Sequence, residues 1–181
     1  MAPEIRQFVL ERLNAPVSLA LASMADKLDH AIASAYPTAA GPHPLVLEQP
    51  SAHASDGGAL HWTVHFQRDG LALPLAVTSD LRPTDLEGFR RWDIYVSTRV
   101  PLITTVQRTC KGGIWEQGSE ADPELQRLAF MLAGAFALEV IDYSEICALR
   151  VDPALITDEM RMRLDHSDDP TVFQLLFSED A

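Results

Sequence analysis

The longest uninterrupted apolar stretch of the chain runs from Leu128 to Leu138, where no face of a helix would carry a polar side chain. The residues ahead of it open a helix. Asp122 has the side chain to accept hydrogen bonds from free first-turn amides, Pro123 stands where a missing N–H costs nothing, and Glu124 favours the positive end of the dipole. A helix that is apolar all round has no solvent side, so it is buried in protein or in lipid. These eleven residues are too few for lipid, because a membrane span needs roughly 20. The segment from Asp122 to Val140 is therefore expected to be a central core helix, wrapped by sheet and by other helices.

The same patterning places the remaining elements. Ile5, Phe8, Val9 and Leu13 share one face of a short helix over Pro3 to Leu13, which Asn14-Ala15-Pro16 breaks or kinks. A second helix follows to about Ala35, with Val17, Leu21, Met24, Leu28, Ala31 and Ala35 as a narrow apolar seam. Residues 36–58 hold four prolines and three glycines around Leu45-Val46-Leu47, which reads as a long loop with room for one short strand.

From Leu60 to Phe66 apolar and polar positions alternate strictly, the period of a strand with one buried face. Asp69-Gly70 suits a type I′ turn, and the hairpin it closes pairs Phe66 with Leu73, Val64 with Leu75 and Trp62 with Val77. Pro74 on the return strand marks that strand as an edge or as bulged. Asp80 to Arg91 reads as a polar connection with at most a short helix at Thr84 to Phe89.

Trp92, Ile94 and Val96 alternate with Asp93, Tyr95 and Ser97 in a third strand. Leu102 to Cys110 fits both a strand and a helical stripe ended by Gly112-Gly113, and its β-branched content favours strand, with Ile114-Trp115 as a short return. Beyond the apolar helix, Ile146 to Val151 suggests a strand. Asp152-Pro153 and Asp169-Pro170 repeat the helix-opening dipeptide and place helices near 153–164 and 170–177. The order predicts one α+β domain over residues 1–181: an antiparallel meander around the apolar helix, with N-terminal and C-terminal helices.

Composition does not disturb this picture. With 181 residues, 47% hydrophobic and 22% charged, the chain is long enough to bury a core without staples. Its net charge of -12 argues against the basic stripe that nucleic-acid binding needs. Val17 to Ala25 resembles the apolar part of an export signal, but Glu4 and Glu11 interrupt the basic region that would precede it, so the chain is read as unprocessed. Cys110 and Cys147 follow no framework or C-x-x-C spacing, which suits a reducing cytoplasm.

Charge is uneven along the chain. Residues 139–181 carry 11 acidic and 3 basic side chains, whereas Arg82, Arg90, Arg91, Arg99, Arg108 and Lys111 outnumber the acids between positions 82 and 111. The asymmetry suits a solvated surface, or one that orients a partner or a second copy.

Candidate chemistry is sparse. His61 and His65 share a strand face, but four residues of strand separate them by ~13 Å, too far for one metal ion unless His43 or His53 joins one of them from the long loop. Glu139, Asp142 and Glu145 recur every third residue and would form a carboxylate row if the apolar helix ran on, suited to a divalent metal or to acid–base work. His166, Asp168 and Asp169 form a weaker cluster. Cys110 beside Lys111 and near Arg108 has cationic neighbours that lower a thiol pKa, although no base stands next to it in sequence. Trp92 next to Arg90 and Arg91 suits the core or an interface anchor. Phosphate-loop, dinucleotide, nucleophile-elbow and H-E-x-x-H motifs are absent.

The expectation is a non-enzymatic protein-binding protein of chaperone, adaptor or immunity type, without a cofactor. It would dock a basic protein partner through Asp142, Glu145, Asp158, Glu159, Asp165, Asp168 and Asp169, or through the strand edge at Pro74. The alternative is a small metal-dependent hydrolase or transferase using His65 or the carboxylates Glu139, Asp142 and Glu145.

Overall fold

The computed structural model describes residues 7, 9–11, 16, 18, 19–35, 46–48, 59–66, 87–88, 90–118, 122–152, 154, 156–158 and 170–177. The fold is α+β, built on a sheet in which β1 (Val46–Glu48), β2 (Ala59–Phe66), β3 (Arg90–Ser97), β4 (Leu102–Lys111) and β5 (Ile114–Gln117) lie side by side in chain order as an antiparallel meander. A short strand, β6 (Glu139–Val140), adds to β4 in parallel. The helices are α1 (Leu19–Ala22), α2 (Ala25–Ala35), α3 (Pro123–Phe136), α4 (Tyr143–Ala148) and α5 (Val172–Phe177).

The ambiguous segment 102–110 is strand, and Gly112-Gly113 turns it into β5. Both glycines have positive φ, 57° and 80°, as the two central residues of a type I′ hairpin require. Val64 pairs with Leu47 on one side and Trp92 on the other. The pairing of Val64 with Leu75 expected from the Asp69-Gly70 turn is therefore replaced, because both ladder edges of β2 are taken at that residue. The return segment 71–79, Pro74 included, lies outside the described residues, as does most of the loop 36–58 apart from β1.

The sheet separates two apolar cores. On one face Leu60, Trp62, Trp92, Ile94, Val96 and Ile103 pack against Leu28 and Ile32 of α2 and Leu125, Leu128 and Leu132 of α3. On the other, Ala59 and Leu102 meet Ile146 of α4, Val172, Leu175, Leu176 and Phe177 of α5, and Val9 of the N-terminal helical segment. The long N-terminal helix divides at a turn over Ser23-Met24, and Ile32, which its apolar seam omits, is fully buried, as is Leu28.

Two expectations are corrected. The segment 146–151 does not form a strand: residues up to Ala148 belong to α4, and Arg150 makes an isolated bridge to Thr171. The apolar helix is not wrapped on every side. α3 begins as its sequence dictates, with Asp122 accepting from the Glu124 and Leu125 amides and Pro123 in the first turn. It then lies along one face of the sheet and buries Leu125, Leu128, Ala129, Leu132 and Ala133. Phe130 and Met131 stay 65% and 46% exposed. Ala137 ends the helix in the left-handed conformation, φ 54°.

Candidate functional site

Two adjoining features draw polar side chains together. The first lies on the sheet face that carries α4 and α5. Antiparallel register aligns Thr63 of β2 with Asp93 of β3 and Val106 of β4, and aligns Arg91 with Arg108. Alternation alone would turn Asp93 to solvent. Both faces of the sheet are covered, however, and its side chain is 0% exposed.

Asp93 accepts a hydrogen bond from Arg108 Nε at 2.8 Å and from Thr63 Oγ1 at 3.2 Å. His61 Nε2 lies 3.4 Å and Arg91 Nε 3.2 Å from its oxygens. Burial opposes ionisation of Asp93, but the His61 hydrogen bond and the charges of Arg91, His61 and Arg108 outweigh it and hold the carboxyl below its ordinary value. His61 is therefore a member of this network rather than a free surface histidine.

An aromatic wall closes the network on one side. Tyr95 stacks on His61 at 4.2 Å and meets Phe173 edge-on at 5.2 Å. Tyr143 accepts a hydrogen bond from Arg108 Nη2 at 2.8 Å and packs on Phe173. Burial, then the nearby Asp93 carboxylate, pushes the Tyr95 phenol far above its ordinary value. Burial likewise raises Tyr143, against the opposing charge of Arg108. Both phenols are neutral at physiological pH. The arrangement is an ion-pair lattice in which a single buried carboxylate, Asp93, faces the guanidinium groups of both Arg91 and Arg108.

The second feature is a cleft of about 540 Å³ at the outer edge of β4. β6 pairs with Leu102 and Ile103 and β5 with Arg108 onward, so Thr105 between them has no strand neighbour on that side among the described residues. The cleft continues between the first turns of α3 and α4, and its wall includes Leu125, Gln126, Ala129, Phe130, Val140 and Tyr143. Among the described residues its charged lining consists of Asp122 and Asp142, both acidic. Asp122 also accepts from Trp92 Nε1 at 3.0 Å, which ties the start of α3 to the core and makes Trp92 a buried core residue rather than an interface anchor.

The expected site residues fall unevenly on this geometry. Asp142 caps α4 by accepting from the Glu145 amide at 3.1 Å; both side chains are exposed, and Asp142 lines the cleft. Glu139, exposed in β6, belongs to another element. The carboxylate row is therefore not formed: the apolar helix ends at Phe136, and Asp142 and Glu145 sit at a helix N-terminus, where negative charge is favourable. Asp158 is exposed and distinct from this group. Glu159, Asp165, Asp168, Asp169, His166, His43 and His53 lie outside the described residues. His65 pairs with Val46 and Arg91 in the sheet, but its side chain lies outside the described part.

A group of three metal-binding side chains is not found among the described residues. Cys110 is buried, and burial pushes its thiol up, against a backbone hydrogen bond from Gly113 and the charge of Arg91. Neither Cys110 nor Cys147 is in a disulfide. Among the described residues no helix is long and apolar enough to cross a membrane.

Asp93, Thr63 and Tyr143 escaped sequence reasoning because the second cover of the sheet comes from segments 50 to 80 positions away in the chain. The one local signal was the density of arginines on two neighbouring strands around a single acid. Comparison with family models, with characterised proteins and with solved structures finds no match to the chain.

Proposed function

We propose that this chain is a protein-binding protein of chaperone, adaptor or immunity type, which docks a basic partner over the exposed face of α3 and into the cleft between α3 and α4. The observation that carries this reading is Phe130, a large apolar side chain 65% exposed on the wall of a cleft whose charged lining, among the described residues, is acidic. Met131 extends the apolar surface, and Glu145 adds an exposed carboxylate in the first turn of α4.

An aromatic anchor beside polar groups is a common form of interface hot spot. Acidic side chains around it favour a Lys- or Arg-bearing partner and speed its approach. A second copy is the poorer occupant, since it would bring another chain of net charge -12 against these carboxylates. Two cysteines outside any disulfide support a reducing compartment such as the cytoplasm. A sheet with an apolar core on each face supports a single domain.

The test is capture of partners from native lysate on the immobilised wild-type chain, on Phe130→Ala and on Asp142→Asn. Asparagine still caps a helix, so the second variant removes charge alone. The expected partners are rich in Lys and Arg, are released by salt, and bind Phe130→Ala roughly 30-fold more weakly, the loss of about 2 kcal/mol typical of a hot spot. Identical capture by all three proteins would contradict the reading.

A further inference from the structure

The outer edge of β4 is paired at both ends and open in the middle. The Ile103 carbonyl accepts from the Ile141 amide at 3.0 Å, just past β6, and the Gln107 carbonyl accepts from the Gly118 amide at 2.9 Å, just past β5. The register between β3 and β4 runs without a bulge from the Arg90–Thr109 pair to the Val96–Ile103 pair. In such a ladder the amide and carbonyl of every second residue point to the same side. Those of Thr105 therefore point outward with those of Ile103 and Gln107, away from β3.

Neither group of Thr105 finds a ladder or loop partner among the described residues. Thr105 is half-buried and lines the cleft, so the two groups open onto it. An adjacent main-chain donor and acceptor on a strand edge are a template for pairing with another extended chain. The cleft also supplies what the side chains of such a segment need. Leu125, Ala129, Phe130 and Val140 are apolar walls. Asp122 is occupied by its own helix and by Trp92, whereas Asp142 uses Oδ1 for its cap and keeps Oδ2 for a cation. From Ile103 to Gln107 the edge spans ~13 Å, room for about three residues before β6 and β5 close it.

We infer that the cleft receives a short extended segment of the basic partner, which adds to the edge of β4 through two main-chain hydrogen bonds to Thr105 and sets a Lys or Arg against Asp142. The inference rests on the protein-binding reading and specifies how the partner is held. A helix or loop laid over Phe130 would leave Thr105 untouched, which separates the two claims.

The probe is a pool of acetylated, amidated pentapeptides with Lys at the centre and Ala, Val, Leu or Thr at the other positions. A second pool has every backbone amide N-methylated, which keeps charge and side chains but removes the main-chain donors. Both are titrated into the full chain while the backbone amide resonances of Thr105, Phe130 and Met131 are followed. The first pool is expected to move the Thr105 amide downfield saturably and to slow its exchange with water, and the methylated pool to bind at least about tenfold more weakly. Thr105→Pro deletes the outward N–H without costing a bond to β3, as proline is tolerated on edge strands, and is expected to weaken the shift read at Phe130 by a similar factor.

Equal shifts at Phe130 and Met131 with both pools, and none at Thr105, would overturn strand addition and leave the docking reading standing. No shift at any of the three residues would also overturn it, and partner capture from lysate then judges the docking reading alone. Should Thr105→Pro fail to fold, the comparison of the two pools on the wild-type chain still decides.

Discussion

Asp93 is held by side chains from three strands, and its chemistry follows from that crowding rather than from its own position in an alternating strand. Removing its charge in Asp93→Asn leaves Arg91 and Arg108 opposed without a counterion. The expected loss is about 3 kcal/mol in urea unfolding, at the low end for a broken buried pair because both guanidinium groups partly reach water. Its pH dependence has a definite sign. The folded-state pKa is depressed, so this contribution is complete above the unfolded value of about 4 and disappears as pH falls through the lower folded value. Stability measured by urea midpoint is expected to drop more steeply below about pH 4 in the wild type than in Asp93→Asn. Parallel slopes would remove Asp93 from the account.

At the scale of the element, α3 carries both the structural and the functional argument. Its N-cap does two things, satisfying first-turn amides and receiving Trp92 Nε1. Asp122→Ala is therefore expected to cost about 2 kcal/mol, one part for the cap and one for the lost hydrogen bond. On the buried face, Leu132→Ala is expected to cost about 2–5 kcal/mol. On the open face, Phe130→Ala is expected to change stability by less than ~0.5 kcal/mol, as surface substitutions do. At the end of the helix, Ala137→Gly relieves an unfavourable left-handed conformation and is expected to stabilise by about 0.5–1 kcal/mol. Urea midpoints of the four variants check all of these values.

The contrast between the two faces of α3 also marks the limit of pattern reading. The start of the helix is legible in Asp122-Pro123-Glu124, because capping and the dipole are local. That nothing covers Phe130 within the described residues is not legible, since an apolar run looks the same whether the core or a partner is to bury it. Strand β3 is legible by its period, yet the same period suggested solvent for Asp93. The covering helices α4 and α5 lie far along the chain and leave no trace in the alternation. Pattern likewise misplaced the carboxylates of 139–145, because the left-handed residue that ends α3 is an alanine rather than the glycine that usually signals a stop.

For the whole molecule, one sheet serves two surfaces of opposite character. On one side it supports α3 and a cleft lined by Asp122, Asp142 and the exposed Phe130. On the other it aligns arginines around a single buried acid in a chain of net charge -12. Arginines gathered on one face and carboxylates in the cleft give the fold a charge asymmetry, whose reach shortens as salt is added. The meander itself was legible from the sequence, since consecutive strands of this length and composition pair with their neighbours. The opposition of charge between its faces emerges only from register.

The central claim is that α3 and the adjoining cleft form the docking surface. Its most direct test is amide hydrogen exchange of the chain alone and in complex with a partner captured at low salt. The account predicts added protection in peptides covering residues 123–145, with β3 unchanged. Protection confined to other segments, with α3 exchanging as it does in the free chain, would contradict it.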